Sequence, residues 1–212
     1  MEQIDDIARA RRTVKLLPDP AHPLPGAGLP RETVDALLEA AGLAPFHRAC
    51  AAARADGREP VEPWRVHALD KAGCLALIPK LYSLPKPPSK IANMLAAADA
   101  LALVTWLPEE GDDWAASDIN MEHIAAGGAM IQTLLLAATA RGIGSYWSSG
   151  GVLAGEAFGL LGIPEGERLL GAIFLWPDAP DGIEAAPGKL RGQRSAPARW
   201  TRWVETGRAP DP

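Results

Sequence analysis

The chain has 212 residues, of which 48% are hydrophobic and 22% are charged, and its formal net charge is −5 at pH 7. This length and apolar content predict one globular domain over residues 1–212. An Arg- and Trp-rich tail is expected to form a C-terminal extension from about residue 187 to 212. The negative net charge argues against nucleic acid or an anionic membrane surface as partner, because both require a basic protein surface.

The N-terminal segment, MEQIDDIARARR, is charged and lacks the apolar core of a signal peptide. The longest apolar stretch, around residues 124–140, contains Gln132 and Thr133 and is expected to be a core helix. We therefore expect a cytoplasmic protein. The two cysteines, Cys50 and Cys74, form no C-x-x-C pair or Cys/His cluster, so no structural zinc site is predicted.

In the N-terminal third, Ile4 and Ile7 recur at helical spacing and predict a helix over residues 2–12. A Pro/Gly-rich loop follows at residues 18–30. A second amphipathic helix is predicted from Arg31 to Ala41, with Gly42 as its C-cap. Residues 44–63 are expected to be irregular.

Further along the chain, apolar runs predict strands at residues 64–69, 101–106, 143–148 and 169–176. A helical piece and a Pro/Lys-rich loop, SLPKPPSK, lie between the first two strands. A long helix, capped by Asp118 and ending at Gly142, is apolar nearly all round and is expected to be central and enclosed. A short helix is predicted near residues 155–161. The pattern is α+β, because no regular strand–helix–strand repeat is present.

Candidate chemistry begins with ARRTVK, at the end of the first helix. Arg11, Arg12, Thr13 and Lys15 offer two guanidinium groups, a hydroxyl and an ammonium that can hold a phosphate. The alternative interpretation is a solvated basic helix end, which the helix dipole favours.

Three other segments leave alternatives open. His47 in APFHR and Glu62 in EPWRV flank an irregular segment and have ordinary surface or core interpretations. The stretch WSSG, residues 147–150, is either a turn or a place where backbone approaches a flat ligand. Ser148, His47 and Asp118 could form a hydrolase triad, but no local motif supports it. The chain has neither a Walker A motif nor a dinucleotide fingerprint.

Taken in order, these segments resemble the FMN-dependent nitroreductase family. The matching segments are RRTVK at 11–15, APFHR at 44–48, EPWRV at 62–66, the helix ending in GIG at 142–144, WSSG at 147–150 and IPEGERLLG at 163–171. The His and the Trp-x-Ser-Gly are most similar to the YdjA-like minimal-nitroreductase branch. Residues 49–60 are an insertion relative to this pattern.

The resemblance implies a small, mostly antiparallel sheet flanked by helices, with the central helix at the interface of a homodimer. It implies that FMN is bound by Arg11, Arg12 and Thr13 at the phosphate and ribityl chain, and by Lys15 at the pyrimidine edge. The remaining implied cofactor residues are the 147–150 segment (Trp147, Ser148, Ser149 and Gly150), His47 and Glu62 from the partner subunit, and Arg194 from the tail, which is expected to wrap the partner.

The resemblance also implies an NAD(P)H-dependent oxidoreductase that passes hydride through the flavin to a small oxidised acceptor by a ping-pong mechanism. No catalytic protein residue is then required, because the flavin performs the chemistry. Two alternatives stay open: other flavin chemistry on the same fold, such as flavin cleavage to dimethylbenzimidazole, and a non-catalytic module that binds or stores FMN.

Overall fold

The computed structural model describes residues 4–50, 61–109, 117–176, 186–188, 190 and 192–204. In this part of the chain the helices are α1 (Ile4–Ala10), α2 (Arg31–Gly42), α3 (Lys71–Tyr82), α4 (Lys90–Ala97), α5 (Asp118–Thr139) and α6 (Phe158–Leu161). The strands are β1 (Val14–Lys15), β2 (Trp64–Asp70), β3 (Ala100–Trp106), β4 (Gly144–Ser148), β5 (Arg168–Trp176) and β6 (Ala186–Pro187). Most of the predicted 49–60 insertion lies outside the described residues.

The main sheet has four strands in the order β2-β3-β5-β4, and every neighbouring pair is antiparallel. Every residue of β3 is buried, which explains the unbroken apolar run at residues 101–106. The register of β3 against β5 shifts between Val104 and Thr105, at a β-bulge. The predicted α+β class with an antiparallel sheet is confirmed.

Helices cover both faces of this sheet and divide the core in two. On one face, α3, α4 and α6 pack against Leu101, Leu103 and Phe174. On the other face, α2 and α5 pack against Val104 and Ile173. None of the described helices combines the length and hydropathy that a membrane span requires.

Helix α5 approaches the sheet closely because Gly127 has no side chain. A Cβ at Gly127 would lie 2.3 Å from Leu170 Cδ1. The opposite side of α5 is open in the single chain, where Met121 is 51% exposed and Ile124 is 38% exposed. Within one chain, the expected enclosure of this helix therefore holds on the sheet side only.

Several predicted helix ends differ from those observed. Gly42 stays helical, and α2 is capped by Leu43 with φ −76°. Ser117, rather than Asp118, caps α5 by accepting a hydrogen bond from the Asn120 N–H at 3.5 Å. Lys90 begins α4 instead of ending a loop. Helix α5 ends at Thr139 with Ala140 as its C-cap, three residues before Gly142, which adopts the left-handed conformation at φ +69°.

Candidate cofactor site

The segment after α1 is held at the edge of the main sheet by short backbone pairings. Thr13 forms a parallel bridge with Ser145 of β4. Its own carbonyl accepts a hydrogen bond from the Gly188 N–H at 3.0 Å, and β1 pairs with β6. The N-terminal basic segment, strand β4 and part of the C-terminal tail therefore meet in one place.

These segments enclose a cavity of about 1320 Å³, which we call the arginine cavity. Its polar lining includes the predicted phosphate-binding residues and Lys15, together with one further arginine and one carboxylate: Arg11, Arg12, Thr13, Arg194, Lys15, Arg9 and Asp5. Arg194 is separated from Arg11 by most of the sequence, so only the folded chain brings the two together.

The arginines of this cavity are close enough to affect one another. Burial, followed by repulsion from Arg194 and Arg12, lowers the pKa of Arg11 from its ordinary value. Asp5 also lines the cavity, and Arg9 pairs with Asp6 at 3.7 Å, but among the described residues Arg11, Arg12 and Arg194 form no ion pair with a carboxylate. A cluster of guanidinium groups without an acidic partner is suited to bind a phosphate or another multivalent anion.

Side-chain hydrogen bonds orient two of these arginines. Arg11 Nη1 donates to Thr13 Oγ1 at 3.3 Å. Arg12 Nη1 donates to the backbone carbonyls of Arg9 and Arg11, the latter at 3.2 Å. Arg11 is half-buried and Arg12 exposed, so Arg11 is the more preorganised of the two.

Lys15 and Tyr146 also line the arginine cavity. The Lys15 ammonium lies 4.7 Å from the centroid of the Tyr146 ring, a cation–π contact. The Tyr146 ring stacks on Trp176 with centroids 6.4 Å apart and planes 11° apart. The position of the ammonium group is thus set by an aromatic stack that is anchored in the core.

A second cavity of about 570 Å³ adjoins the first, and Lys15 and Tyr146 line both. Ser148 and Ser149 line the second cavity, which also borders the start of α4. Six predicted site residues from the N-terminal segment and the strand β4 region line the two adjoining cavities, through side chains or backbone, in addition to Arg194 from the tail: Arg11, Arg12, Thr13, Lys15, Ser148 and Ser149. Together with Arg194, seven of the predicted site residues lie at these cavities.

Within the 147–150 segment, the alternation of β4 divides the side chains between the two faces of the sheet. Trp147 points away from both cavities, and its Nε1 donates to the Leu170 carbonyl at 3.3 Å. Ser148 Oγ accepts a hydrogen bond from the Gly150 N–H at 3.1 Å. Gly150 has φ +92°, and a Cβ there would lie 2.2 Å from Leu169 Cδ2, so the turn requires glycine.

His47 and Glu62 line neither cavity of this chain. His47 is exposed, and its neighbour Arg48 pairs with Glu122 of α5 at 2.9 Å. Asp118 also lies outside both cavities, so Ser148, His47 and Asp118 do not assemble into a hydrolase site.

The described residues offer no obvious alternative catalytic group. They contain no cluster of His, Cys, Asp or Glu that could hold a metal ion. Burial raises the pKa of the Cys74 thiol to about 12, so that thiol is not a nucleophile at neutral pH. The lining residues that were not anticipated from the sequence include Arg9, Tyr146, Lys86 and Lys90.

Comparison with solved structures identifies the fold. A nitroreductase-like family protein from Bacillus cereus matches with a TM-score of 0.69 at 20% identity, over 97% of each chain. A nitroreductase with bound FMN from Bacteroides fragilis matches with a TM-score of 0.55 at 19% identity, over 92% of this chain and 99% of that one.

A Staphylococcus epidermidis protein assigned as an NAD(P)H:FMN oxidoreductase matches with a TM-score of 0.63 at 13% identity, over 96% of this chain and 97% of the other. Comparison with curated proteins found no match. The sequence profile of the Nitroreductase family matches residues 24–175. The chain therefore belongs to the nitroreductase family.

Proposed function

We propose that this protein is an FMN-dependent NAD(P)H oxidoreductase that reduces small oxidised acceptors. The observation that carries the proposal is the arginine cavity, where Arg11, Arg12 and Arg194 gather without a carboxylate partner among the described residues. Family membership and the FMN named in the Bacteroides fragilis structure support the choice of cofactor.

The residues present fit FMN. Arg11, Arg12, Arg194 and the Thr13 hydroxyl would hold its phosphate and adjoining chain, because guanidinium groups bind phosphate in two-point contacts. The Lys15 ammonium, fixed over Tyr146, would stabilise the negative charge of a reduced flavin ring. The bound flavin would supply the redox chemistry by accepting a hydride and passing two electrons on.

The reaction would be ping-pong, with the reductant leaving before the acceptor binds. For a nitro acceptor the balance is ArNO₂ + NAD(P)H + H⁺ → ArNO + NAD(P)⁺ + H₂O. The chain would bind and orient the two substrates in turn. This scheme needs no nucleophile from the protein, because the flavin would carry the electrons.

We further propose a homodimer in which His47 and Glu62 reach the cofactor of the partner subunit. This placement accounts for two residues that lie outside both cavities of their own chain. Residues 1–212 would form one domain whose extension, from about residue 187, wraps the partner. Membership of the YdjA-like minimal branch and a cytoplasmic location remain predictions from the sequence.

The first experiment is to identify the cofactor of the purified protein. We expect a yellow protein that releases FMN, identified by thin-layer chromatography against FMN and FAD standards. Anaerobic mixing with NADPH or NADH should then bleach the yellow colour rapidly. A colourless protein that cannot be reconstituted with FMN would refute the proposal.

The same experiment separates the alternatives. A yellow protein that neither reductant bleaches would indicate a module that binds FMN without turnover. Formation of dimethylbenzimidazole from the flavin, detected by mass spectrometry under aerobic conditions, would indicate flavin cleavage.

A further inference from the structure

The second cavity is rich in lysine although the protein as a whole is acidic. Lys15, Lys86 and Lys90 line it, and Glu156 is the one carboxylate in the described lining. The chain carries a net charge of −5, so this local positive charge runs against the overall balance.

These lysines are available to a ligand. The ammonium groups of Lys86 and Lys90 form no ion pair or hydrogen bond with another described residue, and that of Lys15 makes the cation–π contact with Tyr146. The nearly buried Ser148, 7% exposed, accepts a hydrogen bond from the Gly150 N–H, which leaves its own proton free for donation into the cavity. The polar groups facing this space are therefore mainly donors and cations.

Apart from Ser89 and Ser149, the rest of the lining is mainly apolar. Ile91 and Met94 come from α4, and Val152 follows β4, and all three are largely buried. A volume of about 570 Å³ is typical of sites for small organic molecules. An apolar wall beside several cations suits a flat or aromatic molecule that carries a carboxylate or phosphate.

We propose that Lys86 and Lys90, which line the second cavity, bind the anionic group of a molecule that exchanges electrons with the proposed flavin, and that these two lysines select for it. The inference rests on the proposed function, because the two cavities meet at Lys15 and Tyr146. The anionic group belongs either to an acceptor, as in an aromatic carboxylate, or to the reductant, as in the 2′-phosphate of NADPH.

The test compares matched pairs of substrates in the wild type and in a Lys86→Gln/Lys90→Gln double variant. The acceptor pair is 4-nitrobenzoate and 4-nitrobenzyl alcohol, and the reductant pair is NADPH and NADH. In a ping-pong reaction kcat/KM for each substrate is measured independently of the other, so the two pairs are separable. Lys80→Gln, at an exposed lysine of α3 outside both cavities, is the control.

For each pair, the preference is the ratio of kcat/KM for the anionic member to kcat/KM for its partner. We expect the double variant to lower this ratio about tenfold in one of the two pairs, because a charge-assisted contact is removed. A lower preference for 4-nitrobenzoate assigns the site to the acceptor, and a lower preference for NADPH assigns it to the reductant. Unchanged preferences in both pairs would refute the proposal. So would loss of bound FMN in the double variant but not in Lys80→Gln, because the lysines would then hold the cofactor.

A separate measurement distinguishes failure of this inference from failure of the proposed function. If the wild type binds no FMN, calorimetry with 4-nitrobenzoate and 4-nitrobenzyl alcohol still tests the cavity in the flavin-free protein. Tighter binding of the carboxylate, lost in the double variant, supports the anion site. Equal binding of the two compounds, or binding of neither, overturns it.

Discussion

The charge of Arg11 is expected to destabilise the free protein and to favour binding of an anion such as the FMN phosphate. Its pKa is lowered because burial and the charges of Arg194 and Arg12 disfavour the protonated form. A cation whose folded pKa lies below its unfolded value binds its proton less tightly when folded. The charge therefore reduces stability at every pH below the folded pKa, including neutral pH, and a bound anion removes this cost.

Replacing Arg11 by Met should separate the two effects. We expect Arg11→Met to weaken FMN binding by about thirtyfold, equivalent to about 2 kcal/mol for a charge-assisted contact to phosphate. The flavin-free variant should unfold no more easily than wild type, because the substitution removes repulsion and keeps an apolar stem. Calorimetric titration with FMN and urea unfolding of the apoprotein measure the two quantities.

Arg31→Met provides the matched control, since Arg31 is exposed on α2 and its carboxylate partner Asp35 lies 4.0 Å away. It should change neither FMN affinity nor, beyond about 0.5 kcal/mol, stability. If Arg11→Met leaves FMN affinity unchanged, the basic segment is a solvated helix end and the proposed phosphate site is wrong.

The limits of sequence-based prediction are clear in strand β4. The family resemblance implied that the 147–150 segment lies beside the cofactor, but the sequence did not distinguish the two faces of the strand. The period of two places Tyr146 and Ser148 on the cavity side and Trp147 on the other. Which side faces the cavity depends on how β4 pairs with β5, and that long-range pairing is not encoded in any local pattern.

At the scale of elements, long apolar patterns predicted the major helices and strands, and short or capped segments were less well predicted. Helix α4 has eight residues and follows PKPPS directly, so the proline-rich signal concealed its start. Ser117 and Asp118 can both cap α5, and only the backbone geometry selects Ser117. The pairing of β1 with β6 joins distant segments of two residues each, which are too short to show a period.

Helix α5 carries a buried polar residue that its amphipathic pattern does not explain. His123 is 1% exposed, and neither ring nitrogen has a hydrogen-bond partner among the described residues. Burying an imidazole without partners costs free energy, because its hydrogen bonds to water are lost and not replaced. On its own element, the same face continues with the apolar side chains of Ala126 and Met130.

We therefore expect His123→Leu to stabilise the protein by about 1–2 kcal/mol. The midpoint of urea unfolding should rise without a change in slope. His22→Leu is the control, because His22 is exposed and its substitution should stay within about 0.5 kcal/mol of wild type. A decrease in stability for His123→Leu would show that the imidazole makes a favourable contact, for example with a buried water.

At the scale of the whole molecule, a single chain leaves several large apolar side chains in water. Leu43 is 84% exposed, Met121 51%, Trp200 71% and Trp203 91%. Aromatic and methionine side chains are enriched where protein surfaces meet. Together with the exposed side of α5, this distribution supports the proposed homodimer, in which the tail of one subunit covers the other.

The proposed sharing of sites between subunits predicts complementation in mixed dimers. Arg11→Met and His47→Ala homodimers should each bind FMN poorly, because one lacks a phosphate contact and the other lacks the residue supplied across the interface. When the two variants are dissociated and reassociated together, one site of each mixed dimer carries both substitutions and the other carries neither. Tight FMN binding and NADPH oxidation should then return to about half of the sites in the mixed dimers. Native mass spectrometry establishes that mixed dimers have formed, and Arg11→Met reassociated with itself is the control. If mixed dimers form and neither property recovers, each chain builds its own site, and His47 does not act in the partner's cavity.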